Sequence, residues 1–187
     1  MDEASKKTLK GASRLAAYVI AIPMLALIVA IVSLRLVGAS GYVVQGDSMN
    51  PTLSSGEYLV IGPHRGDVGD IIAFYPNEAW NESGVHIPDN GVLLKRVVAV
   101  AGDTISVSGD RVYINGDFAD ELPGDCSFEQ SEERELTKGE YFVMGDNREE
   151  SLDSRAVLCS TSFDDSIVNE SQVLAVGAAY TWKGKLQ

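Results

Sequence analysis

Hydrophobic and polar positions divide this chain into two regimes. Leu15–Leu34 is a run of twenty residues without one charged side chain, apolar on every side. At helical rise such a run covers the ~30 Å of a bilayer core, so it predicts a membrane-crossing helix over residues 15–37, in which Pro23 is tolerable. Beyond it the pattern changes to short apolar runs punctuated by glycine and proline, with hardly any helical periodicity. Tyr42-Val43-Val44, Tyr58-Leu59-Val60-Ile61, Asp70–Tyr75, Val92–Ala101, Tyr141–Met144 and Val173–Trp182 read as strands. Asp110–Asp117 carries the strongest hairpin signal, Asn115-Gly116 after a β-branched and aromatic stretch. Asn77–Asn90 and Leu122–Lys138 read as polar insertions. The expected fold is mostly β: a single N-terminal transmembrane helix, then a folded-over β-sheet or barrel-like domain over residues 38–187.

Charge orients the helix. Lys6, Lys7, Lys10 and Arg14 outweigh Asp2 and Glu3 ahead of the run, so residues 1–14 are expected on the cytoplasmic side and everything after Val37 outside. Arg35 weakens this asymmetry without reversing it. A cleaved secretory signal shares the basic start and apolar core, but such cores are usually ~7–15 residues, shorter than this one. The net charge is −12, and since residues 1–14 carry +2, the remainder carries −14. So acidic a domain has no electrostatic footprint for nucleic acid or anionic headgroups. Cys126 and Cys159 both fall in the part expected outside, where a disulfide is permitted and only one pairing exists; two free thiols are the alternative.

The chemistry rests on a serine and a lysine. Ser48 lies in Gly46-Asp47-Ser48-Met49-Asn50-Pro51-Thr52-Leu53, and Lys95 in Leu93-Leu94-Lys95-Arg96-Val97-Val98. On a strand, Lys95 would share its face with Leu93, Val97 and Ala99 while Arg96 projects to the other side. Serine needs a base to take its proton, and lysine serves only when neutral, which requires lowering its pKa from ~10.4 by roughly 3 units through burial. Taken singly, each signal has a plainer explanation. Lys95 could lay its stem on apolar surface with its head in water. Ser48 could be a turn residue, and the polar run Gly145–Arg155 a solvated loop after a strand.

Together these segments resemble the bacterial type I signal peptidases (leader peptidases), membrane-bound Ser/Lys endopeptidases. The family pattern Ser-Met-x-Pro-Thr-Leu is matched by Ser48–Leu53, a Gly-Asp-Ile strand by Gly69-Asp70-Ile71, and Lys-Arg-Val-Val ahead of Gly-Asp by Lys95–Val98 and Gly102-Asp103. Gly-Asp-Asn-Arg-x-x-Ser-x-Asp-Ser-Arg is matched throughout by Gly145–Arg155. Order and spacing also agree, over nearly all of the chain from the expected anchor onward.

The resemblance implies Ser48 as nucleophile and Lys95 as general base, with Ser151 orienting the lysine amine. Asp153 and Arg155, with Asp146, would form a salt-bridge network behind the dyad, and the Ser48 N–H would hold the oxyanion. Some family members place a hydroxyl residue two before the nucleophile to complete that hole; this chain has Gly46, leaving its second donor unassigned. Lysine rather than histidine as base favours the bacterial type. The implied substrates are exported preproteins, cut after small residues at −1 and −3. An extended peptide would add to strand edges near Val43, Val44, Leu93 and Leu94, with Met49 also at the substrate site. The implied surroundings are the lipid bilayer through residues 15–37, with no obligate partner and no metal or organic cofactor.

Other features carry less. Arg65-Gly66-Asp67 is read as part of a turn rather than an adhesion motif, Asn81-Glu82-Ser83 and Asn169-Glu170-Ser171 as chance sequons, and His64 and His86 as surface residues. Self-cleaving repressors share a Ser/Lys dyad but carry a soluble DNA-binding module. An inactive anchored peptide-binding protein is the rival from another class.

Overall fold

The computed structural model describes all residues except 1–2, 37–39, 63–65, 85–86, 88–90, 182–183 and 186–187; side chains are additionally undescribed for 3–16, 34–36 and 184–185. The readings made above for Val37, His64, Arg65, His86 and Trp182 lie outside the described residues. The chain forms two compact units, Met1–Gly38 and Ala39–Gln187.

The first unit is one helix, α1 (Glu3–Leu36), with Pro23 inside it. Its described side chains, residues 17–33, are all exposed, among them Ile20, Leu25, Leu27 and Ile31. Among the described residues no helix is long and apolar enough to cross a membrane. The full uncharged run Leu15–Leu34 extends past the described side chains at both ends.

The second unit runs β1 (Ser40–Val43), β2 (Tyr58–Ile61), β3 (Ile71–Phe74), α2 (Glu78–Glu82), β4 (Leu93–Ala99), β5 (Thr104–Gly109), β6 (Arg111–Ile114), β7 (Asp117–Glu121) and β8 (Phe128–Glu135). It continues through β9 (Glu140–Met144), α3 (Ser154–Ser160), α4 (Phe163–Ser166), β10 (Val168–Asn169), β11 (Val173–Gly177), β12 (Ala179–Thr181) and β13 (Gly184–Lys185). It is mostly β, as the apolar pattern predicts. Among the described residues the strands form three sheets, ordered β1-β2-β12-β13, β10-β9-β4-β3-β11 and β7-β6-β5-β8, rather than one folded-over sheet.

The five-stranded sheet organises the rest. All four residues of β3 are buried, Ile72 and Phe74 in one apolar cluster and Ile71 and Ala73 in another. A strand covered on both faces has no polar positions to alternate, which is why it reads as an unbroken apolar run. Its neighbour β4 alternates instead, with Leu93, Lys95, Val97 and Ala99 buried and the residues between them half-buried. Lys95 therefore stands in a row of apolar side chains, as its spacing predicts.

In the third sheet, Asn115 and Gly116 both have positive φ, 54° and 85°, and join Ile114 to Asp117 as a two-residue hairpin. That geometry suits the twist of the strands and is open to asparagine and glycine with little strain.

Both expected insertions hold structure. Leu122–Lys138 contains β8, paired antiparallel along β5; its acidic sequence Phe-Glu-Gln-Ser-Glu-Glu-Arg-Glu hides the strand because this edge faces water on nearly every residue, as protected edges do. Asn77–Asn90 contains α2, capped by the Asn77 side chain, which accepts from the Trp80 N–H. Trp80 is fully buried, packs edge-on against Phe74 at 5.1 Å between ring centroids, and donates its indole N–H to the Asp165 carbonyl at 3.1 Å. Helices α3 and α4 were also unexpected. α3 starts inside the polar run, where Asp153 caps it, and its body Arg-Ala-Val-Leu-Cys-Ser is too short to show periodicity.

Cys126 and Cys159 are joined by a disulfide, Cα to Cα 5.9 Å, tying the loop after β7 to the end of α3 across 33 residues of sequence. Closing a loop of that length removes about 3–4 kcal/mol of freedom from the unfolded chain. The Cys126→Ser/Cys159→Ser double variant should lose stability of about that size, measured as the denaturant midpoint in detergent under non-reducing conditions. Wild type under reductant should fall to the same midpoint.

Candidate active site

The turn after β1 and the strand β4 meet in a groove of ≈ 350 Å³. Ser48 and Lys95 both line it, together with Val43, Val44, Met49, Leu93 and Leu94. The expected serine and lysine and the residues expected to hold the peptide therefore line one cavity, with Glu150 and Leu152 on its wall, while Ser151, Asp146, Asp153 and Arg155 are not among its lining residues. Met49 is nonetheless a core side chain, fully buried beside Leu53 and Leu59, so it forms the floor rather than a rim. The groove is bounded by two strand edges. β1 is the outer strand of its sheet, and the ladder between β4 and β9 begins only at Arg96, leaving Leu93–Lys95 beyond it.

Lys95 is 3 % exposed. Burial pulls its pKa down from 10.5 to about 8; Asp153 pulls the other way by attraction, and the Arg155 charge adds to the lowering. Desolvation dominates, because a buried ammonium loses its water and, among the described residues, has no carboxylate paired directly with it. Ser151, equally buried, has a hydroxyl oxygen without a hydrogen-bond partner among the described residues.

A glycine brings these parts together. A Cβ on Gly145 would lie 2.1 Å from the Ser151 Oγ and 2.5 Å from the Ser48 carbonyl oxygen, so the space of its side chain is already taken by both serines. Only glycine allows this approach. The Gly145 N–H donates to the Asp153 carboxylate at 2.9 Å.

Asp153 and Arg155 form a buried pair, 0 % and 3 % exposed, with the guanidinium Nε and Nη2 both 3.0 Å from the carboxylate. Arg155 also reaches the carbonyls of Arg148 and Glu121 and the carboxylate of Asp120. Asp146 does not join this network. It takes a two-pronged contact from Arg96, at 2.7 and 2.5 Å, on the opposite face of β4 from Lys95. Burial would raise the Asp146 carboxyl, but hydrogen bonds from Arg96 and Thr52 hold it below the ordinary carboxylate range. Since Thr52 belongs to the Ser48 loop and Arg96 adjoins Lys95, Asp146 fastens the loop to the strand.

Three contributors were not singled out from sequence. Arg96 and Asn147 lie within quoted motifs, and Asn147 holds the Ser48 loop through its backbone N–H and its side chain. Asp120 lies in no motif. It comes from β7 and binds both Arg148, at 2.5 Å, and Arg155, at 3.2 Å, an arrangement visible only once the third sheet is placed.

A family profile described as signal peptidase, peptidase S26, matches residues 15–182. Signal peptidase I of Bacillus caldolyticus is 33% identical over 153 residues, covering 71% of this chain and 78% of that protein. A probable signal peptidase I-1 of Synechocystis is 35% identical over 140 residues, 70% of this chain and 68% of its own length. Signal peptidase I U of Bacillus subtilis is 31% identical over 167 residues, 76% and 79% of the two chains.

Two outcomes follow from the site's packing. The unfolded Lys95 binds its proton up to pH 10.5 and the folded one only to about 8, so the folded state gains stability as pH rises between these values. Lys95→Met should therefore raise stability by about 3 kcal/mol below pH 8, with the gain vanishing toward pH 10.5, read from denaturation curves across pH. Gly145→Ala should destabilise by about 1–3 kcal/mol through overpacking and abolish activity by pushing Ser151 and the Ser48 backbone apart, read from the melting midpoint and a cleavage assay.

Proposed function

The chain belongs to the signal peptidase family, peptidase S26, and on that premise we propose that it is a membrane-anchored serine endopeptidase that removes N-terminal signal peptides from exported preproteins, with Ser48 as nucleophile and Lys95 as general base. The observation that carries this reading is the burial of Lys95 in the groove that Ser48 lines, with its pKa at about 8. At pH 7 about one molecule in ten then holds a neutral amine able to accept a proton. A solvated lysine would offer about one in a few thousand.

The reaction proceeds in two halves. The Ser48 Oγ attacks the scissile carbonyl carbon as its proton passes to the Lys95 amine, and the carbonyl electrons move onto oxygen. The Ser48 N–H stabilises this oxyanion. When the C–N bond breaks, the Lys95 ammonium returns its proton to the leaving amine, releasing the mature protein and leaving the signal peptide esterified to Ser48. Water then attacks the ester, giving a proton to Lys95, which passes it to Ser48 Oγ as the C–O bond breaks. Ser151, buried beside Gly145 with a hydroxyl that has no hydrogen-bond partner among the described residues, has that hydroxyl free to orient the amine. The Asp153–Arg155 pair keeps the amine's surroundings rigid.

Substrate binding uses the two strand edges. An extended peptide placed between β1 and the start of β4 adds main-chain hydrogen bonds to both. Val43, Val44, Leu93 and Leu94 then bound shallow apolar pockets that accept small side chains at −1 and −3 and exclude large ones. Residues 15–37 form the membrane anchor, with residues 1–14 cytoplasmic and the domain from residue 38 on the outer face. The uncharged run Leu15–Leu34 and the basic residues before it support that placement.

A preprotein with an Ala-x-Ala site tests the reading. Detergent-solubilised wild type should make one cut after that motif, and Ser48→Ala and Lys95→Ala should make none. Because only neutral Lys95 acts, kcat/KM should climb with pH through an ionisation near 8 and level off above it. Lys95→Arg, which holds its charge, should be inactive; full activity in that variant would overturn the base assignment.

A further inference from the structure

We propose that Asn147 is a positioning residue of the reaction: by holding both peptide units that flank Ser48, it aims the Ser48 backbone N–H at the developing oxyanion. The inference rests on Ser48 being the nucleophile and concerns the Ser48 N–H of that hole, whose second donor is unassigned since Gly46 brings no hydroxyl to it.

Two contacts define the hold. The Asn147 backbone N–H donates to the Ser48 carbonyl at 3.1 Å, fixing the peptide that follows the serine. The Asn147 side-chain amide donates to the Asp47 carbonyl at 3.2 Å, fixing the peptide that precedes it. The Asp47 carbonyl also accepts from the Asn50 N–H at 3.0 Å, so this oxygen is held from two sides. In a trans, planar peptide the N–H points opposite to the C=O. With the Asp47 carbonyl drawn toward Asn147, the Ser48 N–H is turned away from it. Among the described residues this N–H donates to no protein acceptor, while Asp47 and Ser48 both line the groove. A donor so fixed and unspent is what an oxyanion needs, because its orientation is set before charge appears.

The placement of Asn147 is also fixed from behind. It follows Gly145 and Asp146, and Asp146 is locked to Arg96 of β4. The amide is thus braced against the strand that carries Lys95, and one segment sets the geometry of both nucleophile backbone and base. Nothing else holds the serine's own carbonyl among the described backbone bonds.

The experiment uses the full chain in detergent with the Ala-x-Ala preprotein, comparing wild type, Asn147→Ala and Asn147→Asp. Aspartate has the shape of asparagine but cannot donate to the Asp47 carbonyl, so a packing role would tolerate it. Each is assayed across pH and compared on the high-pH plateau, so that a shift in Lys95 ionisation is separated from the loss sought. A peptide aldehyde ending in Ala-x-Ala reports the hole directly. Its carbonyl adds Ser48 Oγ–H to give a tetrahedral hemiacetal whose oxygen occupies the oxyanion position. A peptide of the same sequence ending in an amide reports binding alone.

Both variants should lose plateau kcat by about 10- to 100-fold, less than or comparable to deleting an oxyanion donor outright, with KM within about threefold. Aldehyde affinity should fall in step with kcat while amide affinity is kept. Full kcat in Asn147→Asp, or a fall in kcat with the aldehyde-to-amide affinity ratio unchanged, would overturn the proposal. Ser48→Ala is run alongside. Cleavage by that variant would sink the nucleophile assignment itself, a failure distinct from an inert Asn147.

Discussion

Everything near the groove follows from keeping one amine out of water. An ammonium is strongly hydrated, and burying it without a direct partner favours its neutral form. The fold achieves this by setting Lys95 in the apolar row of β4, between Leu93 and Val97, with the Asp153 carboxylate acting on it from a distance and no ion pair to it among the described residues. A carboxylate in direct contact would restore the charge; none at all would let Arg155 drive the amine further from protonation and weaken its power to accept a proton. The neighbouring Asp153 is engaged by Arg155 and by the Gly145 N–H, so its attraction for Lys95 is shared. The depressed but not collapsed pKa, about 8, is the balance of these effects.

That balance needs rigidity, which comes from contacts spread over distant segments. Asp146 joins the serine loop to β4 through Thr52 and Arg96. Asp153 caps α3 while gripping the turn at Gly145. Ser154, fully buried, accepts from the Val143 N–H and donates to the Ser166 carbonyl, fastening α3 between β9 and α4. The polar run Gly145–Arg155 is thus no solvated loop. Its side chains do the hydrogen bonding that an irregular backbone cannot do for itself.

How much was legible in the sequence depended on whether a residue's partners were local. β3 and β4 declare themselves through burial on both faces and on one, and the hairpin at Asn115-Gly116 through two residues that tolerate positive φ. Ser48 and Lys95 were visible as motifs, and both line the same groove. β8 was not visible, since an edge strand facing water needs no apolar residues. Trp80 was lost in a polar stretch because one buried side chain makes no period. Arg155 was legible as a motif residue, but its contact with Asp120 joins positions 35 apart through a salt bridge that no pattern encodes.

The Asp120 contact has a bearing on protein engineering. The third sheet, β5 to β8, contributes no wall to the groove, and a designer seeking a minimal peptidase would cut there first. Yet β7 supplies the carboxylate that balances Arg148 and Arg155, and the loop after it is stapled to the far end of α3. Excision would leave Arg155, 3 % exposed, with Asp153 as its remaining ion-pair partner and an empty space where its second carboxylate, Asp120, had been. The dispensable-looking appendage is a buttress, and any shortened enzyme would have to supply its counter-charge from somewhere else.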